Sequence, residues 1–410
     1  MRIAMIGQKG LPATFGGVEH HVEELSTRLA ARGHDVTVFC RAGYSAGRHD
    51  YRGTRLRHVP TVRTKHLDAI VHSGLSTIVS MLHAPDVIHY HALGPGLFAP
   101  LPRYLSTARV VLTVHGLDHH RAKWGQVART VLRTAAWISA RVPDATIGVS
   151  SALEEHYRSH FGRSIAYVPN GTTPRQPRPA DQITSRYGLA PGSYVLFVGR
   201  LVPEKAPDLL IRAFQRIRDD VRLVIVGGSS FTDDYAALLR RQAAGDPRVL
   251  FTGYVYGTLL EELYSNAAAF VLPSSLEGLP LTLLEAISFG TPVVVSDIPP
   301  HEEIVGDDGP GRHLFPTGDE AALADAVAKA VAGYRDEHEP AMLFSKHITD
   351  SYSWDDVVAA TEELYERVLR TPAASSLRVR YARGTRTRSA PSPRGTRASR
   401  GTGTSARARR

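Results

Sequence analysis

SSLEGLPLTLLEAISFGTPVVVSDIP, residues 274–299, decides how this chain is read. The short apolar run Ala269–Leu272 lies just before it, and a second run, Val293–Val295, lies near its end. Between the two, Pro280 suits a first helical turn, the leucines recur at helical spacing, and Gly290 stops the helix after Phe289. Strand, loop, helix and strand in this order form a crossover unit of a parallel sheet. Two carboxylates bracket the helix start, Glu277 in the loop before it and Glu285 about a turn inside. Free N–H groups at a helix start favour anionic oxygen, and a carboxylate can accept from the paired hydroxyls of a sugar. A solvated loop acid and a dipole-favoured helix acid remain the competing explanation.

Towards the N-terminus the same grammar repeats. VGRLVPEKAPDLLIRAF, residues 198–214, puts Arg200 directly after the run Tyr194–Val198 and Lys205 just before the helix Pro207–Ile217. Both would emerge at the carboxyl end of a strand, where open α/β sheets bind ligands. A forked guanidinium and a point-charge ammonium suit a diphosphate, although Lys205 could equally pair with Glu204 or Asp208. Arg222–Val226 and Val249–Phe251 complete the strands of this half, with Tyr235–Ala244 as a further helix. The first half reads alike, with runs at Ile3–Ile6, Val36–Phe39, Val87–His89, Val110–Val114 and Thr146–Val149, and a helix over Glu19–Arg32.

The expected fold is therefore α/β, two Rossmann-like domains facing across a cleft. We expect an N-terminal domain over 1–180, a C-terminal domain over 181–353, a closing helix over 354–370 and an arginine-rich tail over 371–410. The Pro-rich stretch Pro169–Pro179 reads as the linker. The tail holds eleven arginines, no acid and almost nothing to bury, so disorder is expected there.

Two further constellations belong to the first half. MIGQKGLPATFGGVEHHVEEL has glycines at 7, 10, 16 and 17, a long loop between strand and helix. It lacks the GxGxxG spacing of a dinucleotide site. Gly16 and Gly17 could present backbone N–H groups to a phosphate or an acceptor, or could simply make a structural turn. In TVHGLD, His115 ends the strand Val110–Val114 and could hydrogen-bond a sugar or orient an acceptor hydroxyl.

Composition narrows the classes. At 410 residues, 43% hydrophobic and 22% charged, the chain suits two globular domains. One cysteine, Cys40, excludes a disulfide framework and a thiolate metal site. There is no CxxC or HExxH, and the histidines show no metal-like spacing along the chain, so no metal is expected. The start is no signal peptide and no apolar stretch is long enough to span a bilayer. The expectation is a cytoplasmic protein, or one lying on the inner face of the cell membrane. The net charge of +9 divides into a basic first half, an acidic second half and a basic tail, which is no footprint of a nucleic-acid-binding domain.

Taken in order, EGLPLTLLE, GRLVPEK, the PNG of VPNGTT and the glycine-rich first loop resemble the retaining GT-B glycosyltransferases of family 4. The resemblance runs from Met1 to about Arg370. The opening IGQKGLPATFGGVE looks like a rhamnosyltransferase-like subgroup, with Val18, His20 and His21 departing from it. It implies a nucleotide-diphosphate sugar as donor substrate, no cofactor and no metal. Glu285 would hold the ribose hydroxyls, Glu277 the transferred sugar, and Arg200 with Lys205 the diphosphate. The backbone of Gly16, Gly17 and the run Gly278, Leu279, Leu281, Thr282 and Leu283 would cradle donor and phosphate. His115 would sit beside the reacting carbon, and FTGYV, with Tyr254, would frame the base. The expected acceptor is lipid-linked or a growing polysaccharide. A sugar-nucleotide epimerase and a non-catalytic nucleotide-sugar binder are the alternative readings on this fold.

A basic span from Arg41 through Arg48, Arg52, Arg55, Arg57 and Arg63 to Lys65, and the basic amphipathic segment 121–137 with its two tryptophans, point to docking on an anionic membrane surface.

Overall fold

The computed structural model describes residues 1–371 except 15, 46, 63–66, 118–125, 218–219 and 230–231. The tail expected to be disordered lies outside the described residues, as does the first part of the segment 121–137.

The first domain is built on strands β1 (Arg2–Ile6), β2 (Asp35–Arg41), β3 (Asp50–Tyr51), β4 (Thr54–Val59), β5 (Val87–His91), β6 (Arg109–Val114), β7 (Ala145–Gly148) and β8 (Ala166–Tyr167). Their order across the sheet is β3-β4-β2-β1-β5-β6-β7-β8, parallel except for the β3–β4 pair. Its helices are α1 (Gly17–Ala31), α2 (Leu67–Leu82), α3 (Leu93–Gly96), α4 (Pro100–Leu105), α5 (Gln126–Ser139) and α6 (Ser151–Phe161). The second domain opens with α7 (Gln182–Tyr187) and carries β9 (Tyr194–Val198), β10 (Arg222–Val226), β11 (Val249–Gly253), β12 (Ala269–Leu272), β13 (Val293–Ser296) and β14 (Arg312–Phe315). They run parallel in the order β11-β10-β9-β12-β13-β14. Helices α8 (Pro207–Arg216), α9 (Asp233–Ala243), α10 (Thr258–Ser265), α11 (Leu281–Ser288), α12 (Pro299–Val305), α13 (Glu320–Ala332) and α14 (Tyr334–Ser351) accompany this sheet, and α15 (Trp354–Arg370) follows.

Local chemistry explains many of these boundaries. All five residues of β9 are buried, as a central parallel strand covered on both faces requires. Ser150 caps α6 by accepting from the Leu153 amide, and Gly162 ends it in the left-handed conformation. Pro280 stands one place before α11 rather than inside its first turn, with an extended backbone.

Two strands escape a reading by apolar runs. In β4 the buried residues Thr54, Leu56 and Val59 interleave with exposed Arg55 and Arg57, so what reads as a basic span is an edge region of the sheet. β14 is four residues long and contains Arg312 and His313.

Both sheets change direction of winding once. In the first sheet the reversal falls between β1 and β5, in the second between β9 and β12. A crevice opens at the carboxyl ends of the strands at such a switch point, and ligands bind there.

Helix α15 lies against the first domain although the second precedes it in sequence. Trp354, Val357, Val358, Leu364, Tyr365 and Val368 join a core cluster with residues of β1, β2 and α1. Arg28 on α1 reaches Asp355 at 2.9 Å, and His34 beyond it reaches Glu362 at 2.7 Å. The Pro-rich linker is packed at this crossing too. Thr172 donates its amide to the Tyr352 carbonyl at 2.6 Å, and a side chain at Gly171 would strike the Trp354 ring. The two chain crossings between the domains therefore lie side by side.

Candidate active site

The loops that follow β9 and β12 meet at the switch point of the second sheet. After β9 the chain passes Arg200 and makes a single 3₁₀ turn, Pro203–Lys205, ending at Ala206 with a positive φ of 47°. After β12 it passes Ser274 and Glu277 and enters α11. The Lys205 ammonium donates to Glu277 Oε1 at 2.7 Å, and Ser274 Oγ donates to the same oxygen at 2.8 Å. Lys205 thus bonds to Glu277 rather than to Glu204 or Asp208. Burial alone would raise the Glu277 carboxyl. The Lys205 charge and hydrogen bond, with His301 and Ser274, outweigh burial and hold it below the usual range.

Glu285 sits half-buried on α11 and accepts from the Tyr264 hydroxyl at 3.1 Å. Burial, followed by the Glu285 charge, pushes the Tyr264 phenol up and keeps it a donor. Glu285 Oε1 also lies 3.7 Å from His20 Nε2 of the first domain. Arg200 is half-buried at the end of β9, and its charge reaches both Tyr254 and, from the opposite domain, Lys9. Burial is the main force lowering the Lys9 ammonium, with Arg41 and Arg200 adding to it and Glu19 opposing. Tyr254 lies over Gly228, donates to the Ser229 carbonyl at 3.2 Å and stacks on Tyr256.

The run 278–283 divides by role. A side chain at Gly278 would fall 2.0 Å from the His115 carbonyl, so the two domains touch backbone to backbone there. The Leu279 carbonyl accepts from Asn170 at 2.7 Å. Leu281 packs into the core cluster of the first domain, near Gly17. The Thr282 hydroxyl is buried and has no hydrogen-bond partner, a polar atom awaiting one. Leu283 departs from the expected cradle: its side chain is core, and its amide donates to the Pro280 carbonyl at 3.2 Å. Helix geometry leaves the first-turn amides of Leu281 and Thr282 without a helical acceptor.

In the first domain the long loop after β1 is closed by Glu19, whose Oε1 accepts from the Lys9 amide at 3.2 Å. Gly16 has φ 105°, and a side chain there would collide with Glu19. His115 follows β6 and is half-buried, its Nε2 3.3 Å from Nδ1 of His91 at the end of β5. His21 of α1 packs edge-on against His115, ring centroids 4.7 Å apart. Its Nδ1 lies 2.9 Å from Asn170 Oδ1. One ring nitrogen from each of His21, His91 and His115 lies within 4.8 Å of the others. Burial pushes His21 down to about 4 and His91 well below its ordinary value, so both are neutral at pH 7.

Thus Lys205 meets Glu277, Glu285 meets the first domain through His20, and Gly278 meets His115. Spacing along the chain concealed His21, His91, Asn170, Tyr264 and His301. His301, buried behind Glu277, donates from Nδ1 to the Ser296 carbonyl at 3.0 Å and is pushed down to about 4 by burial. The signal available was positional: the histidines of HYH and VHG each end an apolar run, and Asn170 sits between Pro169 and Gly171.

Known proteins match this arrangement. The model described as Glycosyltransferase Family 4 covers residues 15–176, and the one described as Glycosyl transferases group 1 covers 188–342. The chain is 28% identical to the alpha-maltose-1-phosphate synthase of Mycolicibacterium smegmatis, over 90% of this chain and all of that one. It is 29% identical to the GDP-mannose-dependent alpha-(1-6)-phosphatidylinositol monomannoside mannosyltransferase of Mycobacterium tuberculosis, over 85% of this chain and 94% of that one. Among solved structures, sucrose-phosphate synthase from Thermosynechococcus elongatus superposes with a TM-score of 0.76 at 23% identity, covering 90% of this chain and 98% of that one. Anabaena Alr3699/HepE, solved with UDP and glucose, gives a TM-score of 0.76 at 19% identity, covering 90% and 100%. With one glycosyltransferase model on each domain and the two facing Rossmann-like sheets, the chain has the GT-B fold of glycosyltransferases, its first half matching the family 4 model and its second half the group 1 model.

Proposed function

We propose that the chain is a retaining hexosyltransferase that moves a sugar from a nucleoside-diphosphate donor to a hydroxyl of a lipid-linked or polysaccharide acceptor, without needing a metal. The observation that carries this reading is the part-buried Lys205–Glu277 ion pair at the switch point of the second sheet. Arg200, Lys205, the Thr282 hydroxyl and the free amides of α11 receive the diphosphate. Glu285, steadied by Tyr264, takes the ribose hydroxyls, and Tyr254 borders the base. Gly16, Gly17 and His115 face the sugar from the first domain.

In the reaction the acceptor oxygen bonds to the anomeric carbon on the face from which the diphosphate departs. The bond from that carbon to the phosphate oxygen breaks, its electron pair stays on the oxygen, and the acceptor proton passes to it. Arg200 and Lys205 neutralise the charge that builds there. Glu277 Oε1 is engaged by Lys205 and Ser274, which suits a carboxylate that binds the transferred sugar rather than one that attacks it. The names of the relatives support a nucleotide-sugar donor, since one is GDP-mannose-dependent.

The acceptor side supports a surface-bound substrate. On the flank of the first sheet, α2, α4 and α5 expose Leu82 (79%), Tyr104 (72%), Leu105 (70%) and Trp137 (51%), and neither α4 nor α5 contains an acid. Arg129 and Arg133 are exposed on α5 beside Trp137. Such a face docks on an anionic bilayer, each cation contributing about 1 kcal/mol. The basic span at β4 adds less, because Arg41 and Arg55 already pair with Asp68 and Asp35.

A panel of UDP-, GDP- and dTDP-sugars in a thermal-shift assay tests the donor. A bound donor raises the melting temperature through RT ln(1 + [L]/Kd), and no rise with any of them ends the transferase reading. Flotation with neutral and anionic liposomes tests the surface. Binding to anionic vesicles, lost in Trp137→Glu, is the expected result; no flotation with either removes the docking.

A further inference from the structure

The histidines at the floor of the cleft divide into two kinds. His89, in the middle of β5, is satisfied on both sides: Nδ1 lies 2.6 Å from the Tyr365 hydroxyl and Nε2 2.7 Å from Thr113 Oγ1. Hydrogen bonding inside the fold accounts for it fully. His91, two residues on, is also completely buried, yet its Nε2 has no partner. Its other nitrogen, Nδ1, faces His115 across the cleft floor rather than a residue of the sheet.

The neighbours are arranged as a ligand set. Asn170 Nδ2 donates to the Leu279 carbonyl at 2.7 Å, which fixes the side-chain amide and makes its Oδ1 the acceptor for His21. His21 Nδ1 must then carry the proton, leaving the lone pair on Nε2. A carbonyl-type oxygen holding the far nitrogen is the second-sphere contact that orients a metal-bound imidazole. His91 Nδ1 and His115 Nε2 are 3.3 Å apart, close to the edge of a tetrahedron with bonds of ~2.0–2.1 Å to nitrogen. His115 is only half-buried, so water can reach the cluster from the cleft and complete four-coordination. Burial keeps His21 and His91 neutral near pH 7, so neither carries the extra proton that would repel a cation.

We propose that His21, His91 and His115 form a three-imidazole site for a divalent transition metal of the Zn²⁺ class, oriented by Asn170. Transfer is proposed to need no metal, and because His115 is shared with the proposed transfer site, an ion held there would block turnover rather than assist it.

The test uses the full chain, stripped with a chelator and titrated with Zn²⁺ by calorimetry. The expected result is one tight site per chain. His21→Gln, which keeps a donor for Asn170, and His115→Gln each weaken binding tenfold or more, and Asn170→Ala weakens it by about 10–100-fold. Co²⁺ in place of Zn²⁺ should give the intense visible bands of tetrahedral cobalt, lost in His115→Gln. His156 and His160 on the surface of α6 stack with centroids 4.1 Å apart and are the obvious competing pair. His160→Ala should therefore leave the tight site untouched. No tight binding, equal affinity in His21→Gln and His115→Gln, or loss in His160→Ala alone would overturn the proposal. The donor thermal shift of the metal-free unsubstituted chain reports the transferase reading independently, and cooperative urea unfolding shows that each variant is folded.

Discussion

The two domains share an architecture and differ in what each places at its switch point. The second sheet offers charge: Arg200, the Lys205–Glu277 pair and Glu285. The first offers imidazole rings and bare backbone: His91, His115, His21, Gly16 and Gly17. One backbone plan thus serves a dianionic leaving group on one side and uncharged hydroxyls on the other. The strand order sets where a ligand goes, and the side chains after the strands set which ligand.

If that division is real, the largest effects lie on the charged side. Replacing Lys205 or Glu277 alone by Ala leaves a part-buried charge unpaired, which costs about 1–3 kcal/mol of stability. Lys205→Met with Glu277→Leu should recover most of that in urea unfolding, yet show no donor-induced rise in melting temperature. Recovery of the rise in the double variant would break the comparison. The acid limb follows by sign: a carboxyl held below its ordinary value of 4.5 contributes stability above that pH and loses it as pH falls through the folded value. Donor binding should therefore persist down to pH ~4.5.

The next effect sharpens the contrast. Glu285→Ala should abolish the donor-induced rise and lower stability by about 1–3 kcal/mol, since the buried Tyr264 hydroxyl loses its acceptor. His115→Ala should keep the rise and lower turnover at saturating donor by about 100-fold, within the range expected for one positioned catalytic group. A normal turnover number in His115→Ala would place the ring outside the reaction.

The same asymmetry governed what could be read in advance. Tyr194–Val198, Arg222–Val226 and Ala269–Leu272 coincide with β9, β10 and β12, because strands buried on both faces are plain apolar runs. β4 hid because an edge-region strand with one wet face alternates arginine with leucine. The expected crevice residues Lys205, Glu277 and Glu285 stood at strand-to-helix junctions, where pattern alone locates them. Their partners were invisible. Ser274 and Tyr264 are ordinary residues until the sheet order is known, and His21, His91 and His115 are drawn together from one helix and two strand ends. At Leu283 a contiguous motif assigns the backbone amide to the ligand, whereas the first turn of α11 turns that amide to the Pro280 carbonyl, a detail that only helix geometry supplies.

Smaller effects should come from the seam between the domains. Asn170→Ala removes bonds to His21 and to the Leu279 carbonyl at once, and about 1–3 kcal/mol should disappear from unfolding in urea. Because those bonds join the first domain to the loop ahead of α11, donor affinity should fall as well. Tyr365→Phe is the gentler probe. It removes the hydroxyl next to His89 Nδ1 on α15, about 1 kcal/mol for a hydrogen bond between neutral groups, or slightly more if the imidazole is left unpaired. The site residues keep all their contacts, so the donor-induced rise should stay at its original size while the urea midpoint falls. If the rise shrank in Tyr365→Phe too, the closing helix would be doing more than clamping the first domain: it would be setting how the two switch points face each other, and the division between a charged side and a neutral side would depend on the strap that joins them.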